Sequence, residues 1–241
     1  MQAETTGDHT SGDITPVIIQ ARMTSSRLPG KVLTSVAGRP LLSYLVESLE
    51  HCRNAGPIVV ASSVEPADDP IADFCDENGI ECFRGPLDDV MARFLLAVEA
   101  LNANQFVRVC GDSPLLDHRL IDRAISLFWR HKPDLVTNLF PRSFPAGQSV
   151  EVIDTACFRQ AVEEATSPDD REHVTRFFYA KAGRFNIVNF TADADWSEMK
   201  MAVDDQGDLS RFEARLNHLP GPHWSIPLSN QIGGFAAKPL S

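Results

Sequence analysis

Three cations crowd one stretch of an otherwise acidic chain. VIIQARMTSSRLPGK, Val17 to Lys31, begins as an apolar run, turns into small hydroxyl residues, and carries Arg22, Arg27 and Lys31. Small residues let backbone N–H groups turn toward an anion, and Arg27 and Lys31 can add charge-assisted hydrogen bonds, so the stretch suits a polyphosphate. The spacing is not that of a Walker A loop, whose mechanics therefore do not apply. One loop cation alone would read as solvated surface charge; three just past a buried strand favour phosphate. Two carboxylate-bearing stretches stand in similar places: Asp112 in GDSPLLD, and Asp204 or Asp205 in MAVDDQGDL. A carboxylate there can hold Mg²⁺, which is usually bound through one or two carboxylates plus substrate phosphates. Each has a plainer reading as a helix cap, with Ser113 or Asp117 as the N-cap in the first stretch.

These groups need a scaffold, and short β-branched runs alternating with amphipathic stretches predict one. PVIIQA (16–21), GPIVVASS (56–63), IECFRG (80–85), QFVRVCGD (105–112) and DLVTN (134–138) read as strands. Residues 40–52, 68–79, 87–101 and 117–131 read as helices, the second starting near Asp69 with Pro70 in its first turn and ending before Gly79. Alternation at this spacing predicts an α/β domain with a mostly parallel sheet and helices on both faces. Beyond residue 140 the pattern loosens into a loop, a strand at SVEVID, helices at TACFRQAVEEA and REHVTRFFYAKAG, strands at FNIVNFTA and EMKMAVD, and a final helix at GDLSRFEARLNHL. The expected organisation is an N-terminal tail over 1–14, one domain over 15–219 with an inserted arm at about 140–198, and a poorly tied C-terminal tail over 220–241. In open parallel sheets ligands bind beyond the carboxyl ends of the strands, where the Arg22–Lys31 loop, Asp112 and Asp204 all fall.

The chain has 241 residues, 43% hydrophobic and 23% charged, with a formal net charge of -11. That balance argues against nucleic acid or anionic membrane as a partner, while an anionic small molecule needs only a local basic site. No apolar run approaches the roughly 18–20 residues that span a bilayer. The polar first residues lack the basic and apolar regions of a secretory leader. Cys52, Cys75, Cys82, Cys110 and Cys157 are odd in number and scattered, which fits reduced thiols rather than a disulfide framework or zinc site. A cytoplasmic enzyme is expected.

The ordered set IIQARMTSSRLPGK, IVVASSVEPADDPIADFC, FRGPLDDVMARF, VRVCGDSPLLD, FPAGQSVEV, REHVTRFFY and MAVDDQGDL resembles the spore-coat polysaccharide cytidylyltransferases. These are related to the CMP-KDO and CMP-sialic acid synthetases, whose opening signature has the form ARxxSxRLPGK. The resemblance runs from about Pro16 to Leu219. It implies a Rossmann-like nucleotidyltransferase fold and transfer of CMP from CTP to an acceptor, with Mg²⁺ and release of pyrophosphate. Arg22, Ser25, Arg27 and Lys31 match the triphosphate loop, with Ala21 and Met23 beside them, and Arg22, Arg27, Lys31 and Asp112 would carry the chemistry. Asp112 and Asp204 match the metal carboxylates. Arg84 and Asp89 lie in the segment that approaches base and ribose in relatives. Gly147, Glu151, Arg171 and His173 match the acceptor region, Glu172 belonging to the same EHVT segment, and the family implies a homodimer. Two departures bear on the acceptor: Ser149 stands where relatives commonly carry a carboxylate, and Asp205 follows Asp204.

A hydroxyl acceptor would need a metal or carboxylate to take its proton, whereas an already ionised phosphonate would need no base. The sequence leaves that open. It also leaves open a nucleotidyltransferase for another base, a nucleotide-sugar-using glycosyltransferase, against which the RLPGK loop argues, and a silent nucleotide-binding scaffold.

Overall fold

The computed structural model describes residues 15–233; the tail expected over 1–14 lies outside the described residues. In chain order the elements are β1 (Thr15–Gln20), β2 (Ser35–Val36), β3 (Arg39–Pro40), α1 (Leu41–Leu49), β4 (Ala55–Ser63), α2 (Asp69–Glu77), β5 (Glu81–Gly85), α3 (Val90–Ala100), β6 (Gln105–Cys110), α4 (His118–His131) and β7 (Leu135–Thr137). There follow β8 (Glu151–Asp154), α5 (Thr155–Glu164), α6 (Pro168–Glu172), α7 (Arg176–Ala180), β9 (Ile187–Asn189), α8 (Gln206–His218) and α9 (Leu228–Gly233). The main sheet has seven strands in the order β5-β4-β1-β6-β8-β7-β9. All neighbours are parallel except β8, which runs antiparallel to both β6 and β7.

Period-two alternation sends each strand's side chains to two separate cores. Val17 and Ile19 of β1 join helices α1, α2, α4 and α8 on one face, with Leu45, Ile71, Ile125 and Phe212 among the buried contacts. Ile18 joins Phe94 of α3, Phe158 of α5 and Phe178 of α7 on the other. The predicted α/β sheet covered on both faces is therefore present, and Pro70 sits in the first turn of α2 as expected. Among the described residues no helix is long and apolar enough to cross a membrane.

The structure differs from expectation at three places. EMKMAVD is not a strand: it runs extended past residues 146–147 with one isolated bridge, Ala146 to Lys200. REHVTRFFYAKAG is not one helix, because α6 ends at Glu172 and α7 begins at Arg176. Of residues 220–241, expected to be poorly tied down, 220–233 pack onto the domain with His223, Leu228 and Ile232 buried, and 234–241 lie outside the described residues. Trp224 stacks on His51 with ring centroids 3.7 Å apart, and the Leu228 N–H donates to Asp117 Oδ2 at 2.8 Å.

The extended 199–203 segment owes its position to one glycine. Ala146 O accepts from the N–H groups of Met201 (2.7 Å) and Ala202 (3.0 Å), and Val203 N–H donates to Asp112 O at 2.9 Å. Gly147 lies against this segment at φ 95°, where a Cβ would stand 2.5 Å from Ala202 N and 2.7 Å from Met201 C. Those neighbours are backbone and cannot swing aside. Gly147→Ala is expected to cost about 2–4 kcal/mol from left-handed strain plus overpacking, a fall in melting temperature of roughly 5–15 °C for a domain of this size. A thermal melt superimposing on wild type would show that the segment yields.

Candidate active site

β1 ends at Gln20, and the chain then coils back on itself. Met23 O accepts from the N–H groups of Ser25 (3.0 Å) and Gly30 (2.8 Å), with Gly30 at φ 72° supplying the left-handed turn. The Met23 N–H donates to Asp68 Oδ1 at 2.7 Å. Asp68 is fully buried, and its other oxygen takes the N–H and hydroxyl of Ser63. A carboxylate between β4 and α2 thus pins the loop's shape from beneath. Asp68 lies within the IVVASSVEPADDPIADFC segment, but by residue type alone it reads as the start of an ordinary helix.

The loop, the end of β6 and the 203–204 segment enclose a cavity of about 260 Å³ whose lining includes Arg22, Ser25, Arg27, Lys31, Asp112 and Asp204. Lys31 Nζ donates to Asp112 Oδ2 at 2.7 Å and to Asp204 Oδ1 at 3.0 Å. Arg27 Nη2 stands 3.3 Å from Asp204 Oδ2, and Lys200 Nζ 3.0 Å from the same oxygen. Burial alone would lower the Lys31 pKa, but the charges of Asp112 and Asp204 outweigh it and raise it above the ordinary lysine value. For Asp204, burial pushes upward and the hydrogen bonds from Lys31 and Lys200 prevail, holding its carboxyl below the usual range.

Asp205, the other carboxylate considered, points elsewhere. It is the N-cap of α8, accepting from Asp208 N–H at 2.8 Å in a reciprocal capping box. Asp208 is buried and gathers Lys200 at 2.5 Å, Arg211, and the N–H groups of Asp204 and Asp205. Burial opposes its ionisation, yet those partners bring its pKa down to about 2. Asp117, not Ser113, caps α4.

The remaining expected residues fall in two groups. Ala21 lines the cavity, whereas Met23 faces it with neither its bound N–H nor its side chain. Arg84 bonds Ser63 O (2.8 Å), Glu65 O (3.0 Å) and Asp69 (2.7 Å), bracing the corner between β4 and α2. Asp89 caps α3 and pairs with Arg171 at 3.1 Å, and Arg171 Nε also donates to Ala165 O. Glu172 meets Arg22 at 3.2 Å, which joins α6 to the loop.

A second cavity of about 510 Å³ is lined by Arg108, His173, Thr175, Arg176, Tyr179 and Ala180. His173 is the one expected acceptor residue on its wall. Glu151 is 1% exposed and lies under the wall, accepting from Arg108 Nη1 at 2.7 Å and from the Tyr179 hydroxyl. Arg108 Nη2 also donates to Gln20 Oε1 at 2.8 Å, and Gln20 lines the first cavity. The two cavities therefore meet across the Arg108–Gln20 contact. Arg108 was visible in the sequence as the lone cation in an apolar strand. Gln148 was not: fully buried, it donates to Leu115 O at 2.6 Å and accepts from Asp117 N–H at 3.0 Å, tying the Asp112 loop to the 146–150 segment.

The first cavity offers a hard anion its cations and a hard cation its carboxylates. Asp112 and Asp204 both reach one ammonium, so their oxygens converge. Two carboxylates beside a phosphate-binding loop are the donor set of an ion completed by ligand phosphates and water. Such a set fits Mg²⁺ or a similar ion.

The spore coat polysaccharide biosynthesis protein SpsF of Bacillus subtilis is 32% identical over 204 residues, 82% of this chain and 84% of SpsF. The structure of a cytidylyltransferase from Leptospira borgpetersenii superposes with a TM-score of 0.88 at 25% identity, covering 92% of this chain and 94% of that one. A CMP:2-keto-3-deoxy-manno-octonic acid synthetase complexed with CTP shares the fold, with a TM-score of 0.67 at 16% identity, covering 85% of this chain and 98% of that one. Residues 16–210 match the model of the cytidylyltransferase family, and the chain belongs to that family.

Proposed function

We propose that this cytidylyltransferase transfers CMP from CTP to an anionic small-molecule acceptor, with Mg²⁺ as the activating ion and pyrophosphate as the leaving group. The observation that carries the reading is the meeting of Arg27, Lys31, Asp112 and Asp204 in one cavity beyond the carboxyl ends of β1 and β6. The triphosphate lies along the Arg22–Lys31 loop. Arg27 and Lys31 neutralise charge that builds on the departing pyrophosphate and on the α-phosphate. Asp112 and Asp204 would hold the ion, which would supply Lewis-acid polarisation of the α-phosphate.

The acceptor occupies the second cavity, between Arg108, His173 and Tyr179. Its oxygen attacks the α-phosphorus in line from the side where Arg108 and Gln20 meet. Glu151, Asp89 and Arg171 act by support rather than contact, and Gly147 by letting the Asp204 segment approach Asp112. The sequence kinship with SpsF supports an acceptor destined for a surface polysaccharide. The homodimer that the family resemblance implies stays part of this reading, with the 140–198 portion, whose β8 and β9 belong to the main sheet, as its contact.

The test is thermal stabilisation by each of the four nucleoside triphosphates, with and without Mg²⁺. A ligand bound only to the folded state adds about 2.7 kcal/mol at a hundredfold excess over Kd. A CTP-selective, Mg²⁺-enhanced shift is expected. A shift of equal size with all four, or none with any, would sink the nucleotide assignment.

A further inference from the structure

Asp204 is contacted by three cations: Arg27 at 3.3 Å, Lys31 at 3.0 Å and Lys200 at 3.0 Å. Asp112 is contacted by Lys31 at 2.7 Å. Lys31 is the shared member, and its side chain is only 11% exposed. The groups suited to grip a triphosphate are thus bonded to the groups suited to hold a divalent ion. A carboxylate oxygen committed to an ammonium has less to give a metal, and an ammonium committed to two carboxylates has less to give a phosphate. Each set holds the other's place.

We infer that CTP and the divalent ion bind interdependently, through exchange of Lys31 and Arg27 between the carboxylates and the triphosphate. The inference rests on the functional reading above. Phosphate oxygens draw the two cations off Asp112 and Asp204, and the released carboxylates take the ion. By reciprocity the ion, in displacing Lys31, frees it for phosphate, so each ligand strengthens the other by the same factor. Lys200 does not share in the exchange, because Asp208 anchors it at 2.5 Å from the far side. Asp204 therefore stays oriented while Lys31 moves.

This arrangement makes an uncommon demand of a metal ligand: removing its charge should improve nucleotide binding when no metal is present. Calorimetric titration of CTP in EDTA is expected to give roughly tenfold tighter binding to Asp204→Asn than to wild type, a coupling in the ordinary range. Equal or weaker binding by the variant would overturn the inference. A second arm leaves the nucleotide out. Mn²⁺ alone, followed by the loss of its free-ion paramagnetic resonance signal, is expected to bind Lys31→Met roughly tenfold more tightly than wild type. No gain there would equally overturn it. Thermal melts establish that both variants are folded. If wild type binds CTP neither with nor without Mg²⁺, the functional reading fails, while the manganese arm still decides whether Lys31 guards the carboxylates.

Discussion

Asp112→Asn is expected to lower the rate of Mg²⁺-dependent pyrophosphate release from CTP by about a thousandfold, the usual loss when one preorganised electrostatic contact to a transition state is removed. The substitution keeps the side chain's shape, and the backbone bond from Val203 N–H to Asp112 O does not involve it. The fold and the approach of the 203–204 segment should therefore survive. What goes is one of two charges facing Lys31, and with it one of two carboxylates available to an ion. The loss should fall on turnover, while CTP affinity measured in EDTA should hold or rise, because the carboxylate contacts Lys31 rather than a phosphate. Steady-state kinetics beside calorimetry separates the two. Unchanged turnover in a folded variant would remove Asp112 from the chemistry and leave the cavity's carboxylates as simple counter-charges for the loop.

That Asp112 could be found at all without a structure reflects how local its signals are. A buried β-branched run followed by Gly-Asp announces a strand end whatever the rest of the chain does, and the same holds for the Arg22–Lys31 loop after β1. Strand-helix alternation up to residue 138 is of this kind, each element carrying its own periodicity. The second half is held by partners far away in sequence. β8 inserts antiparallel between β6 and β7, a placement expressed in the cross-strand pairing of Arg108 with Glu151 and Thr137 with Glu151, which no window of sequence contains. EMKMAVD alternates like a strand, but it forms one isolated bridge, and Gly147 decides how close it comes. The Pro- and Gly-rich stretch after Leu219 has the composition of a loose tail. Its anchors are single residues meeting distant ones: His223 Nε2 lies 2.7 Å from Tyr44 O, and Trp224 covers His51.

Site residues divide the same way. Arg22, Arg27, Lys31 and Asp112, expected from loop chemistry, line one cavity together with Ser25 and Asp204, which the family resemblance singled out. Of those carried by resemblance alone, His173 lines the second cavity, while Arg84, Asp89, Arg171, Gly147 and Glu151 brace the frame around the first. A motif records that a position matters to a family; it does not record whether the side chain touches the ligand or holds another residue that does. Asp68, Gln148 and Lys200 complete that frame and have no local signature, because a buried polar group is recognised by what surrounds it.

Glu151 is where this distinction has the largest measurable consequence. Its carboxylate is buried between Arg108 and the Tyr179 hydroxyl, which is also 2.8 Å from Thr137 Oγ1. Removing one partner of a buried ion pair leaves the other charged and unpaired, at a cost of about 3–5 kcal/mol. Glu151→Ala is therefore expected to lose that much stability in denaturant unfolding. Glu151→Gln, which keeps the shape and an oxygen acceptor, should lose less, about 1–3 kcal/mol, the range for an imperfectly satisfied buried polar group. Replacing both Arg108 and Glu151 with Met should cost less than the sum of the single Met replacements, since the double variant strands no charge. Because Arg108 holds Gln20 at the first cavity and lines the second itself, the single losses should also loosen both proposed binding steps together. A Glu151 that contacted the acceptor directly would behave in the opposite way: Glu151→Gln would keep its stability and CTP affinity and lose only acceptor binding. Full stability in Glu151→Ala would overturn the supporting role, and burial of the carboxylate under Arg108 and Tyr179 is the reason to expect its loss.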